Sequence, residues 1–291
     1  MSRVALATSR SALPGAPASL ASHEDVDLPI LIAELARHGV DATAQVWDDE
    51  SIDWESYDLV VVRSTWGYAD SYREFLAWAH ARARLINPYE VIEYSSDKHY
   101  LGDLDRQGFP VIDTTYCEIG DVPHFPDVAF VVKPAVGAGS IDAARFEATD
   151  VLAATEHVAR LHASGRCAVI QPYVTSIDVN GERALIFLDG EFSHAMTKRA
   201  HLNVAPEERD GEFRTRQMSR AVAEPDAVDL ARSLMTERFA DLAYGRVDLV
   251  KTPDGWQLME LELVEPALFL QYDELAVGRA GRAIMKRIPR D

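Results

Sequence analysis

Residues 258–266, near the end of a 291-residue chain, read LMELELVEP. Glu260 and Glu262 stand two apart, and Leu261 and Leu263 take the other parity. Residues two apart in a strand share a face, so two carboxylates sit side by side with leucines on the opposite face. YGRVDLVK (244–251) supplies a partner strand, and Pro253-Asp254-Gly255 suits a three-residue hairpin loop with Gly255 left-handed. Thr252 then faces Trp256, Asp248 faces Glu260, and Arg246 faces Glu262. A one-residue slip would turn the strand over. Directly opposed side chains lie ~5 Å apart at Cβ, and like charges there repel. Asp248, Glu260 and Glu262 therefore call for a cation, and an all-oxygen donor set suits Mg²⁺ or Mn²⁺ better than zinc. On this reading the metal-free acids repel one another, so Glu260→Gln is expected to leave the metal-free chain at least as stable as the parent. The competing reading is an ordinary solvated sheet face.

Magnesium commonly accompanies a nucleotide. The chain has no GxxxxGK[ST] loop and no GxGxxG after its first strand, which weighs against an ordinary P-loop and a dinucleotide enzyme. It does have KPAVGAGS (133–140). Lys133 supplies a point charge, and Gly137 and Gly139 let backbone N–H groups approach phosphate. Ser140 closes the loop and is counted with the nucleotide contacts. Asp142 and Arg145 follow it and are assigned to the substrate side.

These residues need elements to hold them. RVALAT (3–8), DATAQVW (41–47) and YDLVVVRST (57–65) read as strands, the last with the continuous apolar run of a strand buried on both faces. Helices at roughly 26–38, ending at Gly39, and at 71–83 complete a doubly wound α/β lobe over 1–94. Ligands in such sheets sit beyond the carboxyl ends of the strands. That places Arg63, Ser64, Thr65 and Trp66 at a substrate mouth, with His23, Glu24 and Asp25 as further candidates for its lining. A helix over 95–108 starts at a serine cap and ends at Gly108. A buried strand runs into the glycine loop, a helix spans 150–164, and CAVIQPYV (167–174) is a strand, so 95–175 forms a small lobe. Over 176–291, a hairpin turns at Asp189-Gly190; a polar segment, 200–224, reads as a mobile loop; and a helix over 226–242 leads to the carboxylate hairpin. His194 and His201 read as structural or substrate-side.

The formal net charge of −18 argues against nucleic acid as a partner. No apolar run approaches the ~20 residues of a membrane span, and the N-terminus lacks a signal-peptide core. The two cysteines, Cys117 and Cys167, show no metal spacing or disulfide framework. A reducing cytoplasm is the expected location.

Taken in order, Lys98, Lys133 with its glycine loop, the QPYV stretch, Lys198, RVD and ELE resemble the ATP-grasp superfamily. VWDDESIDWESYDLVVVRSTWGY, FVVKPAVGAGS, GERALIFLDGEFSHAMTKR and LMELELVEPALFL are similar to its O-ureido-serine cyclo-ligase branch, near prokaryotic glutathione synthetases and RimK-like ligases. The resemblance implies a two-lobed ATP-grasp module after the α/β lobe, with ATP and a divalent metal. It implies that Lys98 and Lys133 hold phosphates and that Gln171, Tyr173 and Val174 form the adenine hinge. Asp178 would meet the ribose, and Arg183 and Lys198 the phosphates. Asp248, Glu260 and Glu262 would be the metal ligands, Arg246 and Lys198 would act at the transferring phosphate, and Glu265 would lie toward substrate. Two positions depart from the pattern: Glu262 stands where many members carry Asn, and Gly67 stands where relatives tend to carry Asp, which bears on the substrate. The implied reaction is ATP-dependent ligation of a small amino-acid-like carboxylate to nitrogen, closing a ring or joining two molecules. The glycine loop and the 200–224 segment would close over the site. A nucleotide-binding regulator without turnover is the rival, disfavoured by the full carboxylate set. A homodimer is compatible with the resemblance.

Overall fold

The computed structural model describes residues 1–13, 15, 25–199 and 218–289. At the N-terminus, β1 (Arg3–Thr8), β2 (Asp41–Val46), β3 (Leu59–Ser64) and β4 (Leu85–Ile86) form a parallel sheet in the order β2-β1-β3-β4. Its alternating side chains feed two cores. Val4, Leu6 and Val61 pack with Leu28, Leu31 and Leu35 of α1 (Asp27–Arg37). Ala5, Ala7, Val60 and Val62 pack with Phe75 and Ala79 of α2 (Tyr72–His80). β3 is buried along its whole length, as its unbroken apolar run requires. The doubly wound expectation is met.

The expected helix over 95–108 is instead two helices. α3 (Tyr89–Ser96) ends at the serines and α4 (Tyr100–Arg106) starts after them. Between them Asp97 bridges to Val136, and the Lys98 N–H donates to the Ala135 carbonyl at 3.0 Å. This strand-like contact interrupts the helix and turns Lys98 toward the glycine loop. Ser95 is no cap: its hydroxyl donates to the Leu261 carbonyl and accepts from the Leu263 N–H, locking α3 onto the carboxylate hairpin.

β5 (Thr115–Cys117), β6 (Phe130–Pro134), β7 (Ala144–Phe146) and β8 (Ala168–Pro172) make an antiparallel sheet in the order β5-β8-β6-β7. α5 (Val151–Ala163) covers one face through Ala154, Val158 and Leu161 against Phe130, Val132 and Ile170. By alternation Lys133 and Gln171 emerge on the other face. A short α6 (Ile177–Asn180) leads into the third sheet.

That sheet is antiparallel, β11-β10-β9-β12-β13, from β9 (Glu182–Leu188), β10 (Glu191–Lys198), β11 (Met218–Ala221), β12 (Tyr244–Thr252) and β13 (Gly255–Glu262). The expected polar segment, 200–224, thus includes an edge strand at 218–221; its 200–217 portion, with His201, lies outside the described residues, as do His23 and Glu24. Asp189 and Gly190 turn the β9–β10 hairpin with φ of 54° and 79°, the pair of positive values a two-residue hairpin favours. A Cβ on Gly190 would lie 2.2 Å from the Ala240 carbonyl. α7 (Pro225–Arg238) packs on Leu185, Phe187, Val247, Leu249, Leu261 and Leu263. On the reverse face, Ala184, Ile186, Leu188 and Met196 pack toward the N-terminal sheet, with α8 (Glu274–Met285) joining through Ala276, Ala280 and Ile284.

The carboxylate hairpin departs from expectation in two ways that cancel. The turn is two residues, so Thr252 pairs with Gly255 and Lys251 with Trp256. A bulge between Asp248 and Leu249 then shifts the register by one, and Asp248 pairs with Glu260 and Arg246 with Glu262.

Candidate active site

β12 lies between β9 and β13, so its outward residues are flanked on both sides. Asp248 is completely buried. Its Oδ2 accepts from Lys198 Nζ at 2.7 Å, and Arg246 Nε donates to its Oδ1 at 3.0 Å. Arg246 also binds Glu262 and donates to the Ala267 carbonyl at 3.2 Å. Lys198 pairs in addition with Glu182, its partner across the β9–β10 ladder. Lys98 Nζ donates to the Gly137 carbonyl at 2.8 Å and stands 3.2 Å from Glu260 Oε1. Lys133 approaches from the small sheet and acts on the same carboxylate. Four cations therefore meet four carboxylates: Lys98, Lys133, Lys198 and Arg246 against Glu182, Asp248, Glu260 and Glu262. The expected unrelieved repulsion among acids is absent, because cations from three separate elements enter the cluster.

The electrostatics follow from this balance. Burial opposes ionisation of Glu260, but Lys98, Lys133, Lys198 and Arg246 outweigh it and hold its carboxyl well below the usual range. Glu262 lies the other way: burial raises it, Arg246 offsets only part, and Glu260 and Asp248 add to the rise. Burial, with Lys98 and Lys198 nearby, pushes the Lys133 ammonium down to about 8. Oxygen atoms of Asp248, Glu260 and Glu262 all lie within 4.8 Å of one another. Such a hard, all-oxygen set fits a Mg²⁺-class cation, and the lysines fit polyphosphate.

The glycine loop follows β6, with Gly139, Ser140 and Asp142 at φ of 63°, 59° and 57°. A Cβ on Gly137 would meet the Pro134 ring at 2.8 Å. At the end of β8, Gln171 is buried and donates to Thr114 at 2.9 Å. The Tyr173 hydroxyl donates to Asp178 Oδ1 at 2.6 Å; burial and that carboxylate push its pKa up to about 12. The Arg145 guanidinium lies over the Tyr173 ring at 4.0 Å and 3.9 Å from Asp178. Arg145 thus belongs beside the hinge residues, not beyond the glycine loop. Asp142 pairs with Arg166 at 2.7 Å and its carbonyl accepts from His157, which ties it to the α5 side of the small sheet. The Val174 carbonyl accepts from the Ile177 N–H.

Other expected site residues are also placed elsewhere. Arg183 pairs across strands with Leu249 and Thr197, so it shares the α7 face and points away from Lys198 and Asp248. It makes a two-pronged contact with Glu224 at 3.1 and 3.2 Å. Arg63 is 1% exposed and does not open on a mouth. It donates to the Pro266 carbonyl at 3.1 Å and lies 3.9 and 3.7 Å from Asp25 and Asp27. Asp27 in turn accepts from the backbone N–H groups of Leu268, Phe269 and Leu270. Arg63 and Asp27 brace the loop after β13 against the N-terminal sheet. Ser64 is also buried, its hydroxyl 2.7 Å from that of Thr8.

The structure does join Thr65 to Glu265: the Thr65 hydroxyl donates to Oε2 at 2.8 Å. Glu265 is buried, and its Oε1 has no hydrogen-bond partner. Burial and the charge of Glu262 push its carboxyl well up, against the Thr65 hydrogen bond and Arg63. Trp66, the residue after Thr65, is half-buried, and Gly67 is exposed with a φ of 90°. Nothing lies within 4 Å of a Cβ on Gly67, so backbone strain, not space, sets what that position accepts. His194 is structural, its ring bonded to the Leu268 carbonyl and Ser193. Sequence reasoning missed Glu182. The Asp189-Gly190 turn points to it only if the bulge between Phe192 and His194 is included.

The N-terminal residues 4–87 match the family model described as the N-terminal domain of D-cycloserine synthetase DcsG. The chain is 35% identical to the cycloserine biosynthesis protein DcsG of Streptomyces lavendulae, over 91% of its own length and 94% of that protein's. A crystal structure of D-cycloserine synthetase DcsG superposes with a TM-score of 0.85 at 33% identity, covering 99% of this chain and all of that one. The D-alanine–D-alanine ligase of Bacillus anthracis, solved with ATP, shares the fold at 14% identity and a TM-score of 0.67, covering 99% of this chain and 96% of that one. No helix among the described residues is long and apolar enough to cross a membrane. At this identity and coverage, the chain belongs to the DcsG family of ATP-grasp ligases, enzymes that join carbon to nitrogen.

Proposed function

We propose that this ligase closes a ring: it activates the carboxylate of a small amino-acid-type substrate, of the O-ureido-serine kind, for attack by a nitrogen of the same molecule. The carrying observation is the buried face where Asp248, Glu260 and Glu262 meet Lys98, Lys133, Lys198 and Arg246. A substrate carboxylate oxygen attacks the γ-phosphorus of ATP, ADP departs, and an acyl phosphate forms. The nitrogen lone pair then attacks the carbonyl carbon, phosphate leaves with the bonding pair, and the nitrogen loses a proton.

Most catalysis in phosphoryl transfer is positioning and charge stabilisation. Lys98 and Lys133 hold phosphates against the loop of Gly137, Gly139 and Ser140. Gln171, Tyr173, Val174 and Asp178 take the nucleoside, with Arg145 packed on Tyr173. Arg246 and Lys198, both anchored on Asp248, face the transferring group. A divalent cation, Mg²⁺ or Mn²⁺, held by Asp248, Glu260 and Glu262 would neutralise phosphate charge. Thr65, Trp66 and Glu265 line the substrate side. In this reading 1–94 is the substrate-side domain, 95–175 the nucleotide-covering lobe and 176–291 the metal-binding lobe. The enzyme acts in the cytoplasm in antibiotic biosynthesis, and a homodimer is compatible with it.

A coupled ADP-release assay tests the proposal. ADP release with O-ureido-serine as sole acceptor, at one cyclic product per ADP, supports it. A requirement for two different amino acids would make the enzyme an intermolecular ligase, and tight ATP binding without turnover on any substrate would make it a regulator.

A further inference from the structure

A second convergence of ligand atoms lies on the small sheet, made of residues other than those of the carboxylate face. One atom each of His99, Glu118 and Cys167 lies within 4.8 Å of the other two. Topology brings them together. Cys117 of β5 pairs with Ala168 of β8, so the next residues outward are Glu118 and Cys167. His99 enters from the break between α3 and α4, its ring stacked on Tyr116 at 4.3 Å and 17°. Tyr116 is pinned in turn: its hydroxyl donates to the Lys98 carbonyl and accepts from the Gly102 N–H, each at 3.0 Å.

The imidazole is oriented from behind. Its Nδ1 lies 2.6 Å from Asp97 Oδ1, which also accepts the His99 backbone N–H at 3.1 Å. With Nδ1 directed at that carboxylate oxygen, Nε2 is the ring nitrogen left to face a ligand. It faces Glu118 Oε1 at 2.9 Å and Cys167 Sγ at 4.0 Å. A carboxylate behind the histidine and open ligand atoms before it is the arrangement metal-binding histidines use to set tautomer and ring angle. One nitrogen, one sulfur and one carboxylate oxygen suit a borderline cation and disfavour Mg²⁺ and Ca²⁺. The His99 and Glu118 side chains are 41% and 57% exposed, so a cation reaches them from solvent.

We propose that His99, Glu118 and Cys167 form a binding site for a zinc-class divalent cation, with Asp97 as the positioning residue for His99. In the metal-free chain a proton on Nε2 links His99 to Glu118. The cation takes the place of that proton and of the Cys167 thiol proton, and both protons are released. The site shares no residue with the carboxylate face and does not depend on the ring-closing proposal.

The test is a Cd²⁺ titration of the full chain in saturating Mg²⁺ and a non-thiol reductant, following thiolate-to-metal charge-transfer absorbance, with Zn²⁺ as competitor. The expected result is one equivalent of thiolate signal per chain, displaced by Zn²⁺, retained in Cys117→Ser and lost in Cys167→Ser. His99→Gln and Asp97→Asn each weaken the apparent affinity roughly tenfold or more, and Glu118→Gln, on the exposed rim, does so without lowering the melting temperature. Absence of a thiolate signal in the parent overturns the proposal, as does a signal that survives Cys167→Ser or an affinity unchanged by His99→Gln.

Discussion

Replacing Glu260 by glutamine separates two pictures of the carboxylate face. If the acids merely repelled one another, removing one charge would stabilise the metal-free protein. The structure predicts the opposite. Glu260 Oε1 sits 3.2 Å from Lys98, with Lys133, Lys198 and Arg246 also acting on it. Glutamine keeps the shape and leaves four cations against three carboxylates. Breaking a buried pair costs about 3–5 kcal/mol. The Glu260 side chain keeps 26% exposure, and solvent screening reduces the expected loss to about 2 kcal/mol. In a chain of this size each kcal/mol moves Tm by about 2–4 °C, so Glu260→Gln should melt about 4–8 °C below the parent. The assay is thermal unfolding by circular dichroism in a chelating buffer. The sign with pH follows. A carboxyl held below its unfolded value contributes stability that is complete above the unfolded pKa and fades as pH falls through the folded one. The gap between parent and variant should be full at neutral pH and close as pH drops below roughly 4.3. Pairing the change with Lys98→Met should recover part of the loss, since the two side chains form one interaction. A variant that melts with or above the parent at neutral pH would refute the balanced-cage argument.

Lys133→Ala should weaken ATP binding by about ten- to a hundredfold, the value of one charge-assisted contact at roughly 1.5–3 kcal/mol. Calorimetric titration with ATP checks it, and unchanged affinity would remove Lys133 from the phosphate site. Arg183→Ala should lower Tm, because the Glu224 contact is lost at a cost of roughly 1.5–3 kcal/mol, and should leave the apparent KM for ATP within about twofold of the parent. Steady-state kinetics beside a melting curve separate the two effects. Arg63→Ala leaves Asp25 and Asp27 buried without their cation and should cost about 3–5 kcal/mol; urea unfolding measures it. A stable Arg63→Ala protein with only a raised KM for the amino-acid substrate would restore Arg63 to the substrate mouth.

The parts of the fold that the sequence announced are those set by local pattern. The apolar run of β3, the helical spacing of Leu28, Leu31 and Leu35, and the Asp189-Gly190 turn are readable because each signal lies within about ten residues of its consequence. The carboxylate hairpin was readable for a weaker reason. Its facing pairs came out right because a turn one residue shorter than expected was compensated by a bulge beside Asp248. A bulge leaves no clear sequence mark, and the parallel case in β9–β10 hid Glu182 from Lys198.

What the sequence did not disclose has one physical origin: an ion's partner is chosen in three dimensions. Arg63 looked like a mouth residue because it ends a strand of a doubly wound sheet. Its surroundings are Asp25 and Asp27 from before β2 and a carbonyl at residue 266, so the cation serves as a brace. Arg183 looked like a phosphate contact because it lies on the strand beside Asp248. Its parity, fixed by the register of β9 on β12, puts it with Leu249 on the α7 face. The acids of LMELELVEP looked uncompensated for the same reason. Lys98, Lys133 and Lys198 arrive from the helix break, the small sheet and β10, and none is within sixty residues of Glu260 along the chain. Assembling that balance requires all three elements to be in place, so the cage reports on the closed arrangement of sheets rather than on the hairpin alone. A site neutral before ligand arrives accepts ATP more readily together with a divalent cation, since the cation cancels about half of the nucleotide's charge in a buried space. Nucleotide alone would leave the larger buried imbalance, which is why ATP is expected to bind here more tightly with divalent metal than without it.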